Sequence, residues 1–264
     1  MVSRKFVLIV VEGNHDQACV QRILRKKLRL SEVKNFDDMK PDFPKIWRKF
    51  APEYRQGEGR LHTRLNMPAI FEGSNLSVAV YWGEGSNLVR NLKLRIKDLD
   101  PEEYEPLYAV GMIVDSDKQS VSQIVSYYHE KLKNILPNLP NQTAKGGIIA
   151  DGEIRSGIYI LPDNESQGVL DTILCKCGKF AYGDYWDRAV DYISSFQQED
   201  RSRIGVKWKP FDREKATIAA LVSILKPGKS NTVSLADDDW ISEDTIAQVP
   251  ELQSLVDFIE RLCQ

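Results

Sequence analysis

The sequence predicts an α/β protein: a mostly parallel sheet flanked by helices, with an inserted segment and a helical C-terminal region. Three observations carry this expectation. Continuous apolar runs such as KFVLIVV (5–11) and LSVAVYW (76–82) lack the alternation of a half-exposed strand, so they read as strands covered on both faces. Helical patterns separate the runs by enough chain for crossover connections. Past residue 180 the strand signal gives way to helix and loop.

The first run ends at the turn E-G-N-H, and a helix follows from Asp16 to Leu30 with Ala18, Cys19, Ile23, Leu24 and Leu28 on its apolar face. Arg22, Arg25, Lys26, Lys27 and Arg29 occupy its other faces, either as a solvated cationic helix end or as phosphate contacts. Residues 31–75 have weak periodicity and many breakers, and so read as an insertion. Trp47, Arg48, Lys49, Arg55, Arg60, His62 and Arg64 within it mix aromatic and basic character, which suits either a nucleic-acid contact or a structural flap. After the strand at 76–82 come GEGSN and a helix through LVRNLKLRIKDL. A third strand at 107–114 leads to the helix VSQIVSYYHEKLKNIL, and a fourth at 157–161 leads to a helix starting near Gly168. Further helices are expected over 186–198, 213–225 and 251–262. Residues 1–180 thus form one expected domain. Residues 181–264 form a helix-rich extension, packed on that domain or standing apart.

With 42% hydrophobic and 28% charged residues, the 264-residue chain reads as globular rather than disordered. A net charge of −2 does not mark a nucleic-acid binder, although it leaves room for a local basic groove. The four cysteines include C-K-C at 175–177 but no zinc-type spacing, so free thiols in a reducing cytoplasm are expected. The apolar start is too short to span a membrane.

The chemistry gathers at strand ends. Ligands of parallel α/β sheets bind beyond the carboxyl ends of the strands, and there the chain has Glu12 and Asp16 in LIVVEGNHD, then Asp115 and Asp117 in GMIVDSDK. In an extended chain Asp115 and Asp117 point the same way. Carboxylates crowded at one crevice need a cation, and an all-oxygen set favours Mg²⁺ or Mn²⁺ over Zn²⁺. Asp16 also suits a helix N-terminal cap. Asp171, in the first turn of GVLDTILCKC, is either a favourable helix-start charge or a further ligand. Lys118, Lys207 and Lys215 are candidates to offset charge in a transition state. His15 fits a substrate contact and an exposed turn equally well. Neither GEGSN nor PGKS (227–230) completes a P-loop, which argues against ATP hydrolysis by this chain.

The order E-G-x-x-D after the first strand and D-x-D after the third resembles the Toprim domain of topoisomerases, bacterial primases and overcoming-lysogenization-defect (OLD) nucleases. The stretches LIVVEGNHD, VYWGEGSNL, GMIVDSDK, GIYILPDNESQGVLDTIL and FDREKATIAALVSIL together resemble an uncharacterised stand-alone Toprim-like family related to the OLD proteins. The resemblance implies a Rossmannoid fold over residues 1–180 and metal ligation by Glu12, Asp16, Asp115, Asp117 and Asp171. Catalysis would be carried by Glu12, Asp115, Asp117 and Lys215. It further implies divalent-metal-dependent hydrolysis of DNA or RNA, with a separate ATPase as a possible partner. Two alternatives stay open: a metal-dependent nucleic-acid-binding or regulatory module without turnover, and a phosphotransferase or phosphohydrolase acting on a small phosphorylated substrate.

Overall fold

The run KFVLIVV forms strand β1 (Lys5–Val11), and its neighbours explain why it is apolar throughout. It lies between β4 (Leu76–Trp82) and β5 (Ala109–Asp115), both parallel to it, and β7 (Arg155–Leu161) continues the parallel set beside β5. The edges run the other way. β3 (Ala69–Glu72) pairs antiparallel with β4, the two-residue β2 (Ser31–Glu32) with β3, and β6 (Ile148–Ala150) with β7. The resulting seven-stranded order is β2-β3-β4-β1-β5-β7-β6. The computed structural model describes residues 4–34, 44–48, 68–97, 99 and 105–264. The parallel character expected from the sequence is therefore confined to the four central strands, and the edge strands are antiparallel.

Helices cover both faces, so the mixed α/β fold has three layers. Val7, Ile9 and Val11 of β1 point into one core, with Ala109 and Ile113 of β5. That core is closed by α1 (Asn14–Lys26), α5 (Leu170–Ser194), α7 (Asp212–Leu225), α8 (Asn231–Asp237), α9 (Glu243–Gln248) and α10 (Pro250–Cys263). Phe6, Leu8 and Val10 point into the other core, closed by α3 (Leu88–Lys97) and α4 (Val121–Leu132). This two-sided burial is what a continuous β-branched run provides. Residues beyond 181 bury their apolar faces against the same sheet as those before it.

Helix α10 reaches the sheet through a local thinning. Gly111 and Gly157 stand opposite each other in the β5–β7 register. A Cβ on Gly111 would stand 2.2 Å from Leu262 Cδ2, and one on Gly157 3.1 Å from the Phe258 ring. The helix presents Leu252, Leu255, Val256, Phe258, Ile259 and Leu262, spaced three and four apart, to that seat.

Several local expectations change. The helices expected near Gly168 and over 186–198 form one helical stretch, α5, kinked at Gly183, where φ is 43°. A residue with a Cβ would be strained there. Within the expected insertion, β2 and β3 extend the sheet, and α2 (Lys45–Arg48) sets Trp47 in the core. The Trp47 indole donates to Ser77 Oγ at 2.6 Å and meets Phe6 edge-on, so it is a packing residue and not a base contact. Lys49, Arg55, Arg60, His62 and Arg64 lie outside the described residues. Arg22 is also structural. It donates to the carbonyls of Ala236, Asp237, Asp238 and Ile241, while Arg25 reaches Ala236 and Glu32. Their charge meets the carbonyl end of α8, the pole of a helix that favours cations. No helix among the described residues is long and apolar enough to cross a membrane. All four cysteines are free, and Cys19, Cys177 and Cys263 are buried.

Gly111→Ala is expected to cost about 1–3 kcal/mol through overpacking against Leu262, measured by urea unfolding. Leu262→Ala opens space at the same contact, so the double variant should lose less than the sum of the singles. Strict additivity would dismiss this contact as the reason for the glycine.

Candidate functional site

The β1–β5 register puts Val11 level with Ile113, so Glu12 and Asp115 leave the sheet at adjacent strand ends, one residue out of step. The loops around them are tied down. Gly83 N–H donates to the Val11 carbonyl at 2.8 Å and Gly85 N–H to the Glu12 carbonyl at 3.0 Å, which straps the turn after β4 across the end of β1. Gly85 N–H of the GEGSN turn is thereby spent on this strap and not offered to a phosphate. After β5, the buried Ser116 hydroxyl accepts from Gly168 N–H at 2.8 Å, while Ser116 and Asp117 N–H both donate to the Gly168 carbonyl. Gly168 has no room for a Cβ, which would lie 2.9 Å from both Pro162 Cδ and Thr172 Oγ1. The extended geometry expected for D-x-D does not hold, because Asp117 turns into the left-handed region (φ 50°). Aspartate is among the few residues with a side chain that tolerate this.

Each carboxylate has only a thin set of partners. Glu12 Oε1 accepts from the Tyr128 hydroxyl of α4 at 3.2 Å, and Asp115 Oδ1 from Leu170 N–H at the start of α5 at 3.1 Å. Asp16 accepts from Gly13 N–H at 2.7 Å; Gly13 is the N-cap of α1, and Asp16 closes the helix start from the third helical position and not as the cap itself. Desolvation outweighs these bonds. Burial, with the neighbouring Asp16, Glu12 and Asp117 charges, pushes Asp115 up to about 9. Burial and the charges of Glu12 and Asp171 push Asp16 up to about 7. Glu12 is raised for the same reason, burial first and Asp117 next among the raising causes. A strand end carrying four mutually repelling carboxylates favours protons or a cation.

A second group adjoins Asp16. Asp171 sits in the first turn of α5, and its raised carboxyl reflects burial partly offset by Lys215 and His15. Asp171 Oδ1 is buried without a hydrogen-bond partner. Lys215, in the first turn of α7, lies within electrostatic reach of Asp16 and Asp171. His15 joins this group: burial, and then the Lys215 charge, lower its pKa against the pull of Asp171. Glu12, Asp16, Asp115, Asp117, Asp171 and Lys215, the six residues expected to bind metal or act in catalysis, therefore belong to one electrostatically connected strand-end cluster. Asp163 lies outside it. Its carboxylate accepts from Glu165 and Ser166 N–H and builds the turn after β7. Among the described residues, no three His, Cys, Asp or Glu side chains are grouped so that they could hold a metal ion.

The sequence reading missed the α4 side. Glu12, Asp115 and Asp117 open onto a cavity of about 360 Å³ walled by Leu88, Val89, Ile124, Tyr127 and Tyr128, with Gly85, Ser86 and Gln119 at its margin. Val121, Ile124, Val125, Tyr128 and Leu132 form the buried stripe of α4. That spacing is visible in VSQIVSYYHEKL, and a core-facing tyrosine needs a partner for its hydroxyl.

Fold and site together define a three-layer α/β protein with an acidic strand-end cleft. The chain belongs to the family described as "Protein of unknown function (DUF3226)", which matches residues 7–264. It is also similar to the structure titled "Crystal structure of hypothetical protein PH0156 from Pyrococcus horikoshii OT3", at 17% identity and a TM-score of 0.53, over 98% of this chain and 95% of that one. No curated protein matches.

The raised carboxyls set a pH dependence. In the unfolded chain Asp115 and Asp16 titrate near the ordinary 3.8, and in the fold near 9 and 7, so the folded state holds the extra protons. Their contribution is complete below the unfolded value and lost as pH rises through the folded ones. In EDTA, the melting temperature should fall from pH 6 to pH 9. Asp115→Asn should flatten the fall and melt higher than wild type at pH 9 by about 2–4 °C or more, the shift about 1 kcal/mol gives at this size. Parallel curves for the two proteins would count against burial as the cause.

Proposed function

We propose that the chain is a stand-alone Toprim-like nuclease that hydrolyses nucleic-acid phosphodiesters with Mg²⁺ or Mn²⁺. The observation that carries this reading is the meeting of Glu12, Asp115 and Asp117 at one cavity, with Asp16 and Asp171 next to them. The donor chemistry fits a hard divalent ion: every candidate ligand is a carboxylate, and Asp171 Oδ1 is buried without a hydrogen-bond partner. Glu12, Asp115 and Asp117 are not grouped around a metal position as they stand, so holding one ion would require their side chains to close on it, with Asp16 and Asp171 available to a second. Such ions supply charge neutralisation at a phosphate and activation of water.

The chain's own groups have separable tasks. Tyr128 fixes the Glu12 carboxylate through its hydroxyl, and Leu170 N–H fixes that of Asp115. Lys215, within electrostatic reach of Asp16 and Asp171, brings a positive charge to the cluster that would stabilise a developing oxyanion. Leu88, Val89 and Ile124 give the cavity beside the carboxylates an apolar wall.

A second reading, metal-dependent binding without turnover, is favoured by the lack of a ready three-ligand grouping among the described residues. One assay separates the two. Labelled single- and double-stranded DNA and RNA are incubated with Mg²⁺, Mn²⁺ or EDTA. We expect metal-dependent cleavage that falls by about 100-fold or more in Asp115→Asn and in Glu12→Gln, and by a smaller factor in Lys215→Ala. Binding retained with no cleavage of any substrate by either ion would replace the nuclease reading with the second one.

A further inference from the structure

The cavity beside the carboxylates has a floor and a wall of different chemistry. Its floor is Glu12, Asp115 and Asp117, and its wall is Leu88, Val89, Ile124 and Tyr127. No Lys or Arg is among its described lining residues, so the wall offers contact area and a ring rather than attraction for a backbone phosphate.

Tyr127 is the unusual member. It is 49% exposed, although it lines a cavity next to a buried, charged centre. Its ring is not free to wander. It meets Tyr128 edge-on at 5.2 Å between centroids, and the Tyr128 hydroxyl is bound to Glu12. Two contacts therefore fix the distance between the Tyr127 ring and the carboxylate floor. One turn further along α4, Lys131 Nζ stands 5.9 Å from the Tyr127 ring centroid, where it can meet a phosphate leaving the cavity. An exposed aromatic face held at a set distance from an acidic phosphodiester-handling floor is the arrangement by which unpaired bases are stacked next to a backbone. The cavity, at about 360 Å³, lies at the small end of ligand sites, about 300–1,000 Å³. A duplex, with its bases held inside the stack, enters such a space only by extruding a nucleotide.

We infer that the substrate is single-stranded nucleic acid, and that this cavity seats one unstacked base against Tyr127. The inference deepens the nuclease reading and rests on it for the position of the backbone.

The test measures binding and cleavage separately. Fluorescein-labelled oligothymidylate, oligouridylate and a hairpin duplex are titrated with wild type, Tyr127→Ala and Tyr127→Phe by fluorescence anisotropy, with Ca²⁺ in place of Mg²⁺. Single strands should bind more tightly than the hairpin. Tyr127→Ala should weaken single-strand binding by about 5- to 100-fold, the range for loss of one base–aromatic stack, whereas Tyr127→Phe should keep it. Tyr127 is half exposed, and unchanged circular dichroism and melting would establish that the variants fold. Equal affinity for the hairpin, or single-strand binding indifferent to Tyr127→Ala, would overturn the inference. Wild-type cleavage of the same oligonucleotides with Mn²⁺ is scored independently. Cleavage with binding indifferent to Tyr127→Ala removes the base seat and leaves the nuclease reading. Tyr127-dependent binding without cleavage supports the base seat and removes the nuclease.

Discussion

Like charge held at the ends of two adjacent parallel strands is the constraint around which this molecule is arranged. Because β1 and β5 run side by side in register, Glu12 and Asp115 must emerge together. The pleat sends them to opposite faces: Glu12 toward α4 and the Tyr128 hydroxyl, Asp115 toward the first turn of α5 and Leu170 N–H. The hydrogen bonds they gain are too few to offset burial beside other carboxylates, and both are raised from their ordinary values. The straps from Gly83 and Gly85 to β1, and from Ser116 to Gly168, hold the strand ends where the repulsion would otherwise spread them.

The C-terminal helices belong to this arrangement and do not merely cover the sheet. α5 supplies Asp171 and the amide that meets Asp115, and α7 lies along α5 with Lys215 in its first turn. α10 closes the same face by lowering Leu262 and Phe258 onto the paired glycines of β5 and β7. A bulkier residue at either glycine would lift a helix from the core that backs the site.

What was legible in the sequence follows from the range of the interactions. The central strands stood out because burial on both faces demands long apolar runs, and Glu12 and Asp115 stood out because they end such runs. β2, β3 and β6 are two to four residues long and take their identity from a neighbour's edge, which no local pattern records. The roles of Arg22 and Arg25 were hidden because their carbonyl acceptors on and after α8 lie more than 200 residues away. Asp117 read as extended because a two-residue spacing is silent about φ. Tyr128 lay within a readable helical stripe, but its partner Glu12 is 116 residues earlier.

The two sides of the β1–β5 edge carry different chemistry. The α5–α7 side gathers Asp16, Asp171, His15 and Lys215, a charged group with a compensating cation. The cavity on the α4 side has an apolar and aromatic wall, with no Lys or Arg among its described lining residues. Without an ion, burial favours the protonated forms of Asp115 and Asp16, so protonation and ion binding are alternatives for the same oxygens. Residues that suit the ion-free fold poorly are the kind found where structure yields to function. An asparagine at 115 would satisfy Leu170 N–H without the charge. The aspartate there makes sense if this edge is completed by a cation, and an aromatic wall beside it makes sense if that cation meets a ligand with a flat, apolar face.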